Sequence, residues 1–120
     1  MLNNDNFIKI DLTPEYQRNL KNLAKKYRHI RSDTQTIFAE LQKGNFIGDK
    51  LSGFELGIYK VRVKNSDIKK GKSGGYRLIY LVESETSILL LTIYSKSEQE
   101  DIKNNQIKSI IKEFYQVENN

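Results

Sequence analysis

The chain has 120 residues, with 20 lysines and arginines against 15 aspartates and glutamates, one histidine, no cysteine and a formal net charge of +5. One domain with a single core is expected at that length, burying roughly two-thirds of the unfolded surface without staples. The missing cysteines exclude disulfides and thiolate metal sites, and a lone histidine excludes a histidine-rich metal centre or a two-histidine acid–base pair, which effectively rules out zinc chemistry; no cofactor is expected.

Met1 to Asn6 lacks the basic and apolar regions of a signal peptide, and no apolar run approaches the ~18 residues that a membrane span needs. A cytoplasmic protein without membrane contact is the expectation. Phe7 to Leu12 alternates loosely enough for a short strand. Thr13, Pro14 and Glu15 then supply an N-cap, a first-turn proline and a dipole-matching acid, so a helix starts at Pro14. Its apolar stripe is Tyr16, Leu20, Leu23, Ala24 and Tyr27, with Arg18, Lys21, Lys25 and Arg28 largely elsewhere, and the stripe reads as core. A second helix is expected from a Ser32 or Asp33 cap through Ile37, Phe38 and Leu41 to near Gly44, closing an antiparallel helical hairpin. His29, between the two, reads as a surface residue whose replacement is silent. Gly44 to Gly57 reads as loop.

From Ile58 the period changes to two, and three strands fit: Ile58 to Lys64, Tyr76 to Val82 and Ile88 to Tyr94. The third is apolar on both faces, which places it in the middle of the sheet with only its end near Tyr94 reaching solvent. Glu83 to Ser87 is a polar turn. Glu98, Gln99, Glu100 and Asp101 read as the acidic first turn of a final helix carrying Ile102, Ile107, Ile110, Ile111 and Phe114, with residues 115–120 as a fraying tail. There are no repeats and no linker, so residues 1–120 form a single domain.

Charge is concentrated between Leu56 and Tyr80, where Lys60, Arg62, Lys64, Lys69, Lys70, Lys72 and Arg77 face only Asp67. Tyr59, Val61 and Val63 alternate with Lys60, Arg62 and Lys64, so a strand here buries one face and presents a row of cations on the other. Like charges two residues apart repel, and mixed signs would suit a merely solvated face better. The pattern therefore points to a polyanion, most simply a nucleic acid, held by Coulomb attraction and by the guanidinium forks of Arg62 and Arg77. Gly71-Lys72-Ser73 echoes the end of a phosphate-binding P-loop, but Ser66 stands where that pattern needs a glycine and the segment joins two strands, so nucleotide hydrolysis is not expected. A hairpin loop with Lys69, Lys70 and Lys72 as mobile cations is the better reading. Ser95 or Ser97 reads as a helix cap, while Lys96, just past the third strand, is placed to lie beside Arg77.

The order strand, helical hairpin, three strands, together with Leu51-Ser52-Gly53, Ile58-Tyr59-Lys60-Val61-Arg62-Val63, Gly74-Gly75-Tyr76-Arg77-Leu78-Ile79-Tyr80 and Leu91-Thr92-Ile93-Tyr94-Ser95-Lys96-Ser97-Glu98, resembles the RelE/ParE superfamily of toxin–antitoxin toxins, RelE and HigB types most closely. The resemblance spans most of the chain, and its distinctive part runs from Tyr59 to Asp101. It implies an α+β fold: two N-terminal helices packed on a mainly antiparallel, four-stranded twisted sheet, plus a C-terminal helix. It also implies a metal-independent endoribonuclease, an mRNA interferase that cuts messenger RNA in the 30S A site of the ribosome and so inhibits translation. In such enzymes the ribose 2′-hydroxyl attacks the adjacent phosphate, leaving a 2′,3′-cyclic phosphate and a 5′-hydroxyl.

Carried over by position, Lys60 and Arg62 match the family's basic strand pair, which grips the phosphate and helps deprotonate the nucleophile. Arg77 matches the arginine after the glycines that neutralises the transition-state oxyanion. Lys96 matches the lysine of the HigB-like Tyr-x-Lys-x-Glu segment, with an acid–base or phosphate-contacting role. Lys72 matches a loop lysine and, with Lys64, Lys69, Lys70 and Tyr94, is assigned to RNA or ribosome binding. Ser97 stands where RelE types can have a second arginine, and Lys103 aligns near their late tyrosine, a place Tyr94 can fill. ParE-like members share the fold but poison DNA gyrase and cut no RNA. That reading, a non-catalytic RNA- or ribosome-binding module, and an inactive decayed toxin are the alternatives. The resemblance further implies a cognate antitoxin, acidic where it covers the basic face, with a monomeric toxin assembling into a hetero-oligomer.

Overall fold

The computed structural model describes residues 7–68 and 74–119. Its elements are β1 (Lys9–Leu12), α1 (Pro14–Ala24), α2 (Ile30–Gln42), β2 (Asp49–Lys50), β3 (Gly57–Val63), β4 (Tyr76–Ser84), β5 (Ser87–Ser95) and α3 (Asn104–Asn119). The sheet order is β1-β5-β4-β3-β2. β1 runs parallel to β5 and the other three pairings are antiparallel, so the fold is α+β, with five strands rather than the expected four. The added strand, β2, is two residues long and lies in the stretch that reads as loop.

Period-two alternation gives each long strand two apolar faces, and each face has its own helices. Val61, Val63, Tyr76, Leu78, Tyr80, Ile88, Leu90 and Ile93 pack on Tyr16 and Leu23 of α1 and on Ile30, Ile37 and Leu41 of α2. On the opposite face, Ile58, Ile79, Leu81, Leu89 and Leu91 pack on Ile107 of α3, with Ile102, Ile110 and Phe114 around them. β5 is interior and covered on both sides, as its composition requires, but the middle strand is β4. Its far end is not open either: Tyr94 and Ser95 are buried, and exposure begins only at Lys96. Two helix ends also differ from the reading of the sequence. α2 begins at Ile30, ahead of Ser32 and Asp33, and the acids Glu98 to Asp101 lie in the loop before α3.

An irregularity in β5 sets the direction of its last side chains. Ile79 pairs with Thr92 and Tyr80 with Leu90, so Leu91 is an extra residue in β5. Such a bulge shifts the alternation by one and re-aims every later side chain. Ile88 and Leu90 point toward α1 and α2 before it, and Ile93 does so after it. Tyr94 is thereby turned to the α3 side, opposite Arg77.

Thr13 braces this bulge. Its backbone N–H donates to the Leu90 carbonyl at 3.1 Å, and its Oγ1 donates to the Leu91 carbonyl at 2.7 Å. The same Oγ1 accepts from the Tyr16 N–H at 2.9 Å as the cap of α1. One buried hydroxyl therefore joins the start of the first helix to the irregular point of the sheet. Thr13→Val keeps the shape and removes both hydroxyl bonds, so a loss of roughly 1–3 kcal/mol is expected, and clearly less for Thr13→Ser. Urea midpoints at unchanged m would measure it; a larger loss for Thr13→Ser than for Thr13→Val would show that the methyl, not the hydroxyl, carries the effect.

Candidate functional site

The basic residues of β3 and β4 meet at one end of the α3-side face. Alternation puts Ile58, Lys60 and Arg62 on that side of β3, with Tyr59, Val61 and Val63 on the other. The ladder pairs Arg62 with Arg77 and Arg77 with Tyr94, so the three stand in one row across β3, β4 and β5. Lys60 lies one step along β3, opposite Ile79. α3 covers the apolar part of this face, which leaves the basic end beside the loop that precedes the helix.

Charge in the row is poorly compensated. Like charges directly opposite in an antiparallel pair cost stability. Among the described residues Arg62 has no ion-pair or side-chain hydrogen-bond partner, and the Arg77 side chain makes one hydrogen bond, from Nη1 to the Tyr76 carbonyl at 3.2 Å. Lys9, Arg18, Lys26 and Lys43 each have a carboxylate partner, while other described cations such as Lys21, Lys25, Arg31 and Lys50 have none, so what distinguishes the row is two guanidinium groups placed directly opposite one another. Lys64 stands exposed just past the end of β3.

Lys60 is different, because its Nζ donates to Asp101 Oδ1 at 3.0 Å. The same oxygen faces the Tyr94 hydroxyl at 3.4 Å and accepts from the Ile102 N–H at 2.8 Å. The bond from Lys60, followed by that from Ile102, holds the Asp101 carboxyl below its ordinary pKa. Burial, then the nearby Asp101 charge, pushes the Tyr94 hydroxyl up to about 12. Tyr94 is therefore a protonated phenol at neutral pH, with its ring buried and its hydroxyl at the edge of the basic end.

Lys96 lies beyond the row. Its backbone N–H donates to the Gly75 carbonyl at 2.9 Å, while its Nζ donates to the Glu100 carbonyl at 2.9 Å. Lys69, Lys70 and Lys72 lie outside the described residues. The chain enters β4 through Gly75, whose φ is +85° and where an added Cβ would meet the Val63 carbonyl oxygen at 2.7 Å. The close approach that this glycine permits is thus to the chain's own β3.

Two features are not evident in the sequence. Asp101 belongs to the site, although its neighbours give it the look of a helical first turn, and nothing in its spacing relates it to Lys60. His29 is exposed, as expected of it, but it is also bonded: its Nδ1 lies 2.6 Å from Asp67 Oδ1, and its backbone N–H donates to Asp67 Oδ2 at 2.9 Å. The His29 side-chain bond, then its backbone bond, holds the Asp67 carboxyl below its ordinary value. Asp33 Oδ2 likewise accepts from the Ser66 N–H at 2.9 Å and from Ser66 Oγ at 3.1 Å. The start of α2 thus clamps the chain as it leaves β3.

A family model described as the RelE toxin of the RelE/RelB toxin–antitoxin system matches residues 17–118, most of the chain. That span contains every residue of the row and Asp101.

If the arginine pair serves a ligand rather than the fold, Arg62→Gln should raise stability by about 0.2–1 kcal/mol in urea while weakening RNA binding. A loss of stability together with unchanged RNA affinity would assign Arg62 to packing.

Proposed function

The chain belongs to the RelE family of toxin–antitoxin toxins, and from that membership and the basic end of its sheet we propose that it is a ribosome-dependent endoribonuclease that cuts messenger RNA in the A site. As a type II toxin it has an antitoxin as its partner, and the basic face is where an acidic segment of that antitoxin would bind. Among the described residues no helix is long and apolar enough to cross a membrane.

The observation that carries this reading is the row Arg62, Arg77 and Tyr94 with Lys60 beside it, in which two guanidinium groups lack carboxylate partners among the described residues. In the proposed reaction the ribose 2′-oxygen attacks the adjacent phosphorus and the bond from phosphorus to the 5′-oxygen breaks. Charge builds on the equatorial phosphoryl oxygens as the phosphorane forms. Arg77 and Arg62 supply fixed, planar donors for that charge, and Lys60 adds an ammonium on the same face. A sheet holds such groups more rigidly than a loop, so little reorganisation is needed when charge develops. Lys64 and Lys96 extend the positive surface toward RNA or ribosomal RNA, and Lys69, Lys70 and Lys72, which lie outside the described residues, are assigned to the same salt-sensitive binding. Tyr94, with its ring buried, acts through its hydroxyl rather than by stacking on a base.

Induced expression of wild type and Arg77→Ala in a bacterium, with mapping of messenger RNA 5′ ends within minutes, tests the reading. New cuts in register with codons inside translated regions are expected for wild type and should fall by about 100-fold or more for the variant. Growth arrest without new cuts, accompanied by gyrase-trapped DNA breaks, would instead identify a ParE-like poison.

A further inference from the structure

The loop after β5 brings a carboxylate to the edge of the cationic row, and its two oxygens are in different situations. Oδ1 of Asp101 faces three donors: Lys60 Nζ at 3.0 Å, the Ile102 N–H at 2.8 Å and the Tyr94 hydroxyl at 3.4 Å. Oδ2 has no partner among the described residues, and the side chain is 63% exposed. Lys60 and Tyr94 sit on β3 and β5 with β4 between them, so the ladder alone does not bring their polar ends together. The loop itself is stitched down by Gln99 Nε2 donating to the Asp101 carbonyl at 3.0 Å and by Lys96 Nζ donating to that of Glu100. The result is a carboxylate anchored through one oxygen, with the other presented to solvent beside the cations.

We propose that Asp101 is the general base of this site, taking the ribose 2′-hydroxyl proton on Oδ2 while Tyr94 and the Ile102 N–H hold Oδ1 in place. The assignment rests on the nuclease reading. As Oδ2 takes the proton, the 2′-oxygen's electron pair forms the new bond to phosphorus. The bond to the 5′-oxygen breaks with its pair on that oxygen, which takes a proton from water. The Asp101 carboxylic acid then gives its proton to the hydroxide so formed, and the carboxylate is restored.

Lys60 makes the base available at the right moment. In the free protein its ammonium is paired with Asp101, an arrangement that favours the carboxylate and makes it a weak base. An arriving phosphodiester competes for the same ammonium. Transfer of Lys60 to the phosphate removes the main cause of the depressed pKa and leaves the carboxylate beside a new negative charge, and both changes increase its basicity. Tyr94 and the Ile102 N–H remain as the anchor, so Tyr94 is a positioning residue in this scheme and Asp101 a catalytic one.

The test is single-turnover cleavage of messenger RNA on programmed ribosomes by the full chain. Asp101→Asn keeps an acceptor for the anchor but cannot take a proton, so a rate loss of about 100-fold or more is expected, with ribosome binding unchanged. Asp101→Gly should be equally slow and should recover as formate is added, because a small carboxylate can enter the vacated position. An Asn variant within about threefold of wild type, or a Gly variant that formate does not rescue, would overturn the assignment while leaving the nuclease reading intact. Wild type that makes no cuts on programmed ribosomes would overturn both.

Discussion

One extra residue in β5 decides which face of the sheet carries Tyr94. Alternation along a strand is strict, so without the bulge at Leu91 the residues after it would exchange sides, and Tyr94 would point into the core under α1 and α2. With the bulge it stands opposite Arg77 on the α3 side. A bulge leaves ladder groups without their strand partners, and Thr13 takes up the Leu91 carbonyl from the start of α1. The first helix, the irregular strand and the aromatic end of the basic row are consequently one mechanical unit.

The same face serves two purposes because its composition changes along the strands. Near Ile58, Leu81 and Leu89 it is apolar and buried by α3, and near Arg62 and Arg77 it is cationic and beyond the helix. Placing two arginines opposite one another costs stability, yet the pairing cannot slip, since a shift of one residue would carry Val61, Val63, Tyr76 and Leu78 out of their core. The hydrophobic layers thus hold an electrostatically unfavourable row in place. Local conflict within an otherwise consistent fold is characteristic of a functional site, and a bound polyanion would relieve it. Asp101 relieves part of it in the free protein through Lys60. That pair is partly exposed and contributes under about 1 kcal/mol, so a phosphodiester can displace it.

Much of this architecture is legible in the chain. The alternation of Tyr59, Val61 and Val63 with Lys60, Arg62 and Lys64 determines both faces of β3, and the Thr13-Pro14-Glu15 sequence marks the first turn of α1. Other features are not legible, each for a physical reason. Leu89, Leu90 and Leu91 are all apolar, so periodicity carries no trace of the bulge between them. The apolarity of β5 shows that it is covered on both sides but not whether it or β4 is central, because order depends on the distant pairing with β1. Asp101, His29 and Asp67 act through contacts far apart in the chain, which no local pattern encodes. The acids before α3 have the composition of a first turn, but two of them are engaged elsewhere: Glu98 pairs with Lys26 and Asp101 with Lys60.

Converging cations on this sheet face would promote transesterification by the ribose 2′-hydroxyl, and the chemistry of the cut ends reports on that directly. The measurement is the identity of the termini produced when the purified chain acts on messenger RNA in programmed ribosomes. Attack by the 2′-hydroxyl leaves fragments with 2′,3′-cyclic phosphate and 5′-hydroxyl termini, the latter labelled by polynucleotide kinase without prior phosphatase treatment. Fragments with 5′-phosphate and 3′-hydroxyl ends would require attack by water and would rule that chemistry out.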